Sequence, residues 1–368
     1  MRTCTTLLLI PALILGCNRA KTDPTGKLDL ESWSETARDG WAEVSVDITD
    51  QHGAFMVSAQ TETEGVYLAV EEVWDPDGNL RMSWEDWYEM DEWIGEPFDP
   101  WYKDVYFNWP IRAEDGPLTP GTWSVVVGAV DDWWAYKKAE LDLTVQRKTD
   151  SDLDNATVQA WVVYAKGIEK EDGVQEAVEG AVEEWTRIWA PYGLKLQVEY
   201  DGMRGLDPAV PVPGEDSEDL LTLSKRSNGE QIVLIIGETV DGDEWTYGMA
   251  GGIPGPMVPS DRSAIAISWL VHAGQDGTFT DDEVRVFGGS LAHEVGHYMG
   301  LCHPVEDGYE SWDALGDTPT CSAQTSCEED LGANLMFPYS ICDWETCSVQ
   351  ETLTDDQVSV SQYYSGAL

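Results

Sequence analysis

Residues 288–303 read GGSLAHEVGHYMGLCH, and this stretch decides how the rest of the chain is interpreted. It contains five fixed positions spaced as His293-Glu294-x-x-His297-x-x-Gly300-x-x-His303. On an α-helix, side chains four residues apart lie on one face, so His293 and His297 can reach the same ion. Gly300 can adopt a left-handed backbone that ends the helix and turns the chain back, so that His303 approaches from another side. The spacing therefore predicts a metal site made of three histidines.

The chemistry expected at this site is that of a catalytic zinc ion. Three neutral imidazoles leave one coordination position open, whereas closed structural zinc sites use four protein ligands. Glu294 follows the first ligand and is the expected general base, which takes a proton from the attacking water and returns it to the leaving amine. This route needs no covalent nucleophile. Cys302 is therefore better explained as a disulfide partner.

The residues quoted above carry a family resemblance. The segment HEVGHYMGLCH resembles the long zinc signature of the metzincin peptidases at every fixed position. Further along, residues 333–339 read ANLMFPY and are similar to the metzincin Met-turn, which implies that Met336 lies beneath the histidines as a hydrophobic floor. The resemblance covers residues 158–366. It implies an α/β (α+β) catalytic domain with a mixed sheet, an active-site helix and a Met-turn, and a zinc-dependent endopeptidase acting on a protein or peptide substrate.

The resemblance leaves the branch of the family open. Residues 353–364 are similar to the closing helix of matrixins, whereas residues 316–319 with nearby cysteines look more like the pappalysin or cytophagalysin branch. Tyr339 follows Met336 by three positions and not by two, so it is not expected to be an additional metal ligand. In metzincins the edge strand beside the cleft binds the substrate backbone, and residues 263–269 are the segment we assign to that task.

Around the motif, apolar periodicity predicts alternating strands and helices. Residues 173–190 have helical spacing of apolar side chains, and Thr280 with Glu283 forms a capping box for the helix that carries the histidines. Strands are expected at four apolar runs, residues 158–166, 194–200, 231–238 and 263–271. This alternation indicates an α/β domain over residues 156–368, with a mixed sheet.

The N-terminal part has a different pattern. After a polar stretch, residues 18–39, which we interpret as a tether, come short runs of alternating polarity that predict an all-β sandwich over residues 40–147. The last two runs, residues 122–129 and 139–145, are expected to pair as a closing hairpin. This segment is rich in tryptophan. The aromatic side chains either pack the core and a long loop or form a patch that binds sugar or peptide.

The first residues read MRTCTTLLLIPALILGC, which is typical of an export signal. Its end resembles the lipobox of bacterial lipoproteins, which implies that residues 1–17 make up a lipoprotein signal, that Cys17 becomes the lipidated first residue of the mature chain after cleavage, and that the protein lies at the cell surface or outer membrane. An ordinary secretory signal cut near Cys17 is the alternative. The later apolar runs are too short to cross a membrane, so a lipid would be the means of membrane attachment.

Charge and cysteine content limit the classes of partner. The formal net charge is -48, with 69 acidic and 21 basic residues, which argues against a nucleic acid or an anionic membrane surface as a partner. The oligomeric state stays open. The isolated His52 and His272 receive no role. Five cysteines lie in the last part of the chain and permit at most two bridges among themselves, with the pairing open: Cys302, Cys321, Cys327, Cys342 and Cys347.

A second hypothesis is a catalytically idle or latent zinc-binding surface lipoprotein. In that case the tryptophan-rich sandwich would bind a polymer or a protein partner, and the metal domain would act as a scaffold. The intact Glu294 argues against this alternative, because a scaffold has no need of a general base.

Overall fold

The computed structural model describes residues 21–22, 27–84, 92–93, 96–149, 153, 156–202, 205–227, 231–274, 277–306, 308–341 and 347–368. The predicted signal peptide over residues 1–17 and the predicted lipidation site Cys17 lie outside the described residues. Cys342 also lies outside them. Among the described residues, no helix is both long and apolar enough for a membrane crossing.

The N-terminal β-region, residues 21–148, consists of strands. They are β1 (Lys21–Thr22), β2 (Leu28–Ala37), β3 (Trp41–Ile48), β4 (Ala54–Gln60), β5 (Tyr67–Trp74), β6 (Leu80–Ser83), β7 (Glu92–Trp93), β8 (Asp104–Trp109), β9 (Gly121–Val130) and β10 (Ala139–Lys148). One antiparallel sheet has the order β1-β2-β10-β4-β8, and a second has the order β3-β9-β5-β6. Short 3-10 helices lie at Glu96–Phe98 and Ala113–Asp115.

The two sheets face each other around one apolar core. Strand β3 alternates buried and exposed side chains along its whole length, as a strand with one solvated face does. Trp123 of the second sheet packs against Phe55 and Trp109 of the first, with ring centroids 5.9 and 5.8 Å apart. The predicted sandwich-like arrangement of antiparallel strands is therefore confirmed.

Two expectations for the N-terminal part are wrong. Residues 28–37, taken as part of a tether, form β2, which pairs with β10 along its full length. The sequence hides this strand because only Leu28 and Ala37 of its ten residues are buried. The expected hairpin of the last two runs does not form, since β9 and β10 belong to different sheets.

The C-terminal α/β region, residues 156–368, contains the remaining elements. They are β11 (Thr157–Tyr164), α1 (Val174–Trp189), β12 (Lys195–Gly202), β13 (Ala209–Val210), α2 (Glu218–Ser227), β14 (Ile232–Gly237), β15 (Thr239–Val240), β16 (Gly248–Ala250), β17 (Ile265–Ser268), α3 (Asp281–Tyr298), β18 (Trp312–Asp313), α4 (Gln324–Leu331) and α5 (Asp355–Tyr363). Three 3-10 helices lie at Ile168–Lys170, Ala190–Tyr192 and Leu270–Ala273.

The main sheet of this region has the order β12-β11-β14-β17-β16. Its first four strands are parallel, and β16 pairs with β17 in the antiparallel direction at the edge. The prediction of a mixed sheet with helices is therefore confirmed. Two further pairs of short strands are parallel: β13 with β15, and β18 with β7 of the N-terminal β-region.

Helices α1 and α3 form where their sequences predict them. The apolar positions expected on one face of α1 are all buried: Val174, Ala177, Val178, Ala181, Val182, Trp185 and Ile188. Helix α3 begins with the predicted capping box, because the Glu283 N–H donates to Thr280 Oγ1 at 3.3 Å and the Thr280 N–H donates to Glu283 Oε2 at 2.7 Å. The two helices pack against each other and give the histidine segment a rigid support.

Side chains of the N-terminal β-region hydrogen-bond to backbone carbonyls of the C-terminal α/β region. Four such donors lie on β4, β8 and β10. The bonds are Gln60 Nε2 to Pro259 O (3.2 Å), Asn108 Nδ2 to Tyr363 O (3.1 Å), Gln146 Nε2 to Met257 O (3.0 Å) and Lys148 Nζ to Gln362 O (2.6 Å). The division into domains at residues 40–147 and 156–368 stays a prediction.

Candidate metal centre and cleft

The predicted metal ligands lie on α3 and on the segment that follows it. His293 and His297 are one turn apart on the helix, as their spacing requires. Gly300 has a φ of 104°, a conformation that few other residues adopt, and the Leu301 N–H donates to Gly296 O at 3.0 Å. This turn ends the helix and brings His303 back beside it.

The three histidines point one nitrogen each at a common position. His303 Nε2 lies 3.0 Å from His297 Nε2 and 3.3 Å from His293 Nε2. In a tetrahedral site with Zn–N bonds of about 2.0–2.1 Å, two ligand nitrogens lie about 3.3–3.4 Å apart. The three side chains form a group able to hold a metal ion, the one such group of three among the described residues.

The other ring nitrogen of each histidine has a hydrogen-bond acceptor. His293 Nδ1 lies 2.7 Å from Leu335 O, His297 Nδ1 lies 2.7 Å from Leu301 O, and His303 Nδ1 lies 3.1 Å from Glu306 Oε2. Carbonyl and carboxylate oxygens accept and do not donate, so each Nδ1 carries the proton. In a neutral imidazole with this tautomer, Nε2 presents a lone pair, which is the arrangement that metal-binding histidines need.

Burial keeps two of these imidazoles neutral. It lowers the pKa of His293 to about 3, and the neighbouring His303 adds to the effect. Burial also lowers the pKa of His297 well below its ordinary value, with further contributions from His303 and His293. Since a protonated imidazole has no lone pair for a metal ion, both rings are in the binding form at neutral pH.

Glu294 is buried beside the histidines, with 8% of its surface exposed. Burial raises the pKa of Glu294 to about 8, although a hydrogen bond from the Ala250 N–H works in the opposite direction. A raised pKa makes the carboxylate a stronger base, and a positive ion held by the neighbouring histidines would favour its deprotonated form.

The edge strand β16 passes directly over Glu294. A Cβ atom at Gly248 would lie 2.7 Å from Glu294 Cγ, so a side chain at this position would displace the strand or the carboxylate. The expectation that residues 263–269 form the edge strand is wrong. They contain β17, which lies between β14 and β16, and the true edge is Gly248–Ala250. A three-residue strand within a glycine-rich loop has no alternating apolar pattern to reveal it.

A cleft of 670 Å³ lies between the edge strand and the segment after Met336. Its floor holds Glu294 and the three histidines. Its walls include residues from β16, α1, α3 and the segments at residues 337–340 and 347–351. Several exposed apolar side chains line the walls: Trp245, Met249, Tyr339 and Val349.

Met336 is fully buried and contacts the helix that carries the ligands. A Cβ atom at Gly296, next to His297, would lie 2.5 Å from Met336 Sδ. The preceding residue, Leu335, provides the carbonyl that accepts from His293 Nδ1. The turn at residues 335–336 therefore supports α3 both by packing and by hydrogen bonding.

A buried pair of side-chain amides holds this turn. Asn334 Nδ2 donates to Gln357 Oε1 at 2.8 Å, and Gln357 Nε2 donates to Asn334 Oδ1 at 3.2 Å. Asn334 Oδ1 also accepts from the Met336 N–H at 2.8 Å. Helix α5, which carries Gln357, thus fixes the backbone beneath the histidines.

The cysteines differ in part from expectation. Cys321 and Cys327 form a disulfide, and Cys347 is also disulfide-bonded. The expectation that Cys302 is a disulfide partner is wrong, because its thiol is free and buried. Burial raises the pKa of Cys302 well above its ordinary value, so the thiol keeps its proton and is a poor nucleophile.

No protein-family model and no curated protein matches the sequence. Among solved structures, the chain is similar to metalloproteinase-II from Bacteroides fragilis, with 12% identity, a TM-score of 0.28, and coverage of 47% of this chain and 57% of that one. It also matches a family two carbohydrate esterase from Cellvibrio japonicus, with 11% identity, a TM-score of 0.16, and coverage of 60% and 66%. At these TM-scores, neither likeness bears on function.

Sequence reasoning missed the residues that orient the ligands. Glu306 was not singled out, although an acidic residue three positions after the last histidine was a visible signal. Asn334 and Gln357 are 23 positions apart, and no local pattern links them. His272, which received no role, is buried and fully hydrogen-bonded, with Nδ1 2.6 Å from Ser268 O and Nε2 2.9 Å from Ser290 Oγ.

Proposed function

We propose that this protein is a zinc-dependent metalloendopeptidase, a hydrolase that cleaves peptide bonds of proteins outside the cytoplasm. The observation that carries the proposal is the convergence of three Nε2 atoms whose partner Nδ1 atoms are all occupied by acceptors. The metzincin-like signature in the sequence and the buried Glu294 support the same reaction.

The donor set fits zinc. His293, His297 and His303 would hold the ion, and three neutral imidazoles with an open position suit catalytic zinc better than calcium or magnesium, which prefer oxygen ligands. A zinc ion bound there supplies Lewis-acid chemistry, which brings the pKa of water towards neutrality and polarises a carbonyl group.

Two groups of the protein act on the substrate in this proposal. Glu294 takes the proton of the attacking water and delivers it to the leaving amine. The edge strand β16 binds the substrate backbone as an added strand, which leaves side-chain preference to the walls of the cleft. The apolar Trp245 and Met249 on one wall and Tyr339 on another support a polypeptide with apolar side chains as substrate.

Removal and restoration of the metal test the proposal. We expect the purified protein to contain about one zinc per chain, to cut an unfolded protein at internal bonds, to lose this activity on dialysis against a zinc chelator, and to regain it with Zn²⁺. Zinc content is measured by mass spectrometry of the metal, and the cut positions by mass spectrometry of the products. Cleavage that persists after zinc is removed would contradict the proposal.

The alternative, a zinc-holding scaffold with a binding role, draws support from the N-terminal β-region. Trp133 and its chain neighbour Trp134 are 87% and 51% exposed, and adjoining exposed aromatic side chains are typical of surfaces that contact another molecule. A protein that retains zinc but cuts no substrate would favour this alternative.

Location is also a proposal. We expect export, with a lipid on Cys17 as the membrane attachment or, alternatively, secretion. The disulfide between Cys321 and Cys327 is typical of proteins outside the reducing cytoplasm. Metabolic labelling with palmitate should mark the parent and fail to mark Cys17→Ser, and equal labelling of both proteins would rule out lipidation at this residue.

A further inference from the structure

Arg262 is a buried cation at the boundary of the two regions. It belongs to the loop between β16 and β17, and 4% of its surface is exposed. Its guanidinium donates to Asp104 Oδ1 at 3.3 Å and to Glu96 Oε2. It also lies over the ring of Tyr102, with Cζ 3.9 Å from the ring centroid. All three of these partners come from the N-terminal β-region.

A further contact of Arg262 leads to the candidate active site. Arg262 Nε donates to Gly251 O at 2.7 Å, and the Gly251 N–H donates to Ala264 O at 3.0 Å. Gly251 directly follows the edge strand β16, whose last residue is Ala250. The Ala250 N–H in turn donates to the Glu294 carboxylate. The link from the N-terminal β-region therefore runs through the hydrogen bonds of Arg262 to Gly251 and then along the backbone of the edge strand to Gly248, where an added Cβ atom would lie 2.7 Å from Glu294 Cγ.

The Arg262 guanidinium is closely packed against the backbone that follows β16. A Cβ atom at Gly252 would lie 2.9 Å from Arg262 Nη2, so the guanidinium packs directly on the backbone that leaves the edge strand. The Glu96 N–H donates to Ile253 O at 3.2 Å, which holds the same backbone from the other side. A shift of Glu96 or Asp104 would therefore move this backbone as well.

We infer that Arg262 is a positioning residue, held by Glu96 and Asp104 of the N-terminal β-region, that fixes the edge strand over Glu294. The inference rests on the proposed function. It makes the N-terminal β-region a structural part of the cleft, to which Glu96 also contributes a wall. None of the three histidines is a partner of Arg262 in these contacts, so its role concerns substrate and base, and not the metal.

Three variants of the full-length protein test the inference. Arg262→Lys keeps the charge but lacks the fork that reaches three acceptors at once. Glu96→Ala removes one acceptor at a partly exposed position, so it tests the same contact if the lysine variant does not fold. Glu96→Gln keeps an acceptor oxygen and serves as the conservative replacement. Glu62→Ala, at an exposed position on the same region, is the matched control.

We expect Arg262→Lys and Glu96→Ala to raise the KM for an unfolded protein substrate and to lower kcat/KM by about tenfold or more, at unchanged zinc content. Glu96→Gln should lie between the parent and Glu96→Ala, because it keeps an acceptor oxygen but loses the charge, and Glu62→Ala should equal the parent. A merely structural role would reduce the amount of folded protein without changing KM. Parent values of KM and kcat in the two folded variants would overturn the inference.

A second readout needs no catalytic activity. Hydrogen exchange at the amides of Ala250 and Gly251 should become about tenfold faster in Glu96→Ala, while the amides of α3 keep their rates. If the parent cuts nothing but this acceleration occurs, the proposed function fails and the positioning link stands. Unchanged exchange at both amides would overturn the link whatever the activity.

Discussion

Replacing Glu294 with glutamine should lower kcat by about 10²–10⁴-fold while the protein keeps its zinc. The glutamine amide has nearly the same shape, and its oxygen can still accept from the Ala250 N–H, so the edge strand stays in place. It cannot take up the proton of the attacking water. The measurement is the initial rate of cleavage of an unfolded protein, with the zinc content determined on the same sample.

The matched control for this variant is Glu244→Gln. Glu244 is exposed in the loop before β16. The substitution Glu244→Gln therefore removes one negative charge near the cleft and leaves the buried carboxylate of Glu294 unchanged. Its rate should equal that of the parent. If Glu294→Gln retains more than a tenth of the parent rate at equal zinc content, another group is the general base.

Replacing His303 with alanine should have the second large effect, the loss of the metal. His303 Nε2 lies close to both other ligand nitrogens, so its removal leaves two ligands and opens the site to solvent. We expect zinc affinity to fall by more than the 10–100-fold that is typical when an outer hydrogen-bond partner is removed. Cleavage should fall with it, and added Zn²⁺ should restore little of it.

Glu306→Ala provides the graded comparison. It removes the acceptor of His303 Nδ1 and should weaken zinc binding by about 10–100-fold, with activity that returns at high Zn²⁺. His52→Asn is the control, because His52 lies in the N-terminal β-region and its Nδ1 accepts from the Thr49 N–H at 3.1 Å. Zinc content and circular dichroism decide the outcome. A zinc-replete and active His303→Ala protein would show that the metal is held elsewhere.

Local patterns predicted the parts of the fold and site that depend on local spacing. The helix positions of His293 and His297 follow from a separation of four residues. The return of His303 towards the helix follows from Gly300, the one glycine between His297 and His303. Helix α1 was predictable because its buried face repeats with the period of a helix. Strand β3 was predictable because the apolar residues at every second position of its sequence are those that the structure buries, along all eight residues.

Non-local features were beyond such patterns. Strand β16 has three residues and takes its identity from pairing with β17, so its sequence alone does not distinguish it from a loop. Strand β2 is held by its backbone hydrogen bonds to β10. Its side chains bury little apolar surface, so no alternation of apolar residues marks it in the sequence. The amide pair of Asn334 and Gln357, and the contacts of Arg262 with Glu96 and Asp104, arise only when distant segments meet.

The contacts between the two regions have a consequence for how the chain can change over generations. Four side chains of the N-terminal β-region donate to backbone carbonyls at residues 257, 259, 362 and 363. A carbonyl is the same group whichever side chain its residue carries. Mutations of the accepting residues therefore leave these four bonds intact as long as the path of the main chain is kept, in contrast to the bonds that the Arg262 side chain makes. For these four bonds, the side chains that must be kept are those of the donors Gln60, Asn108, Gln146 and Lys148.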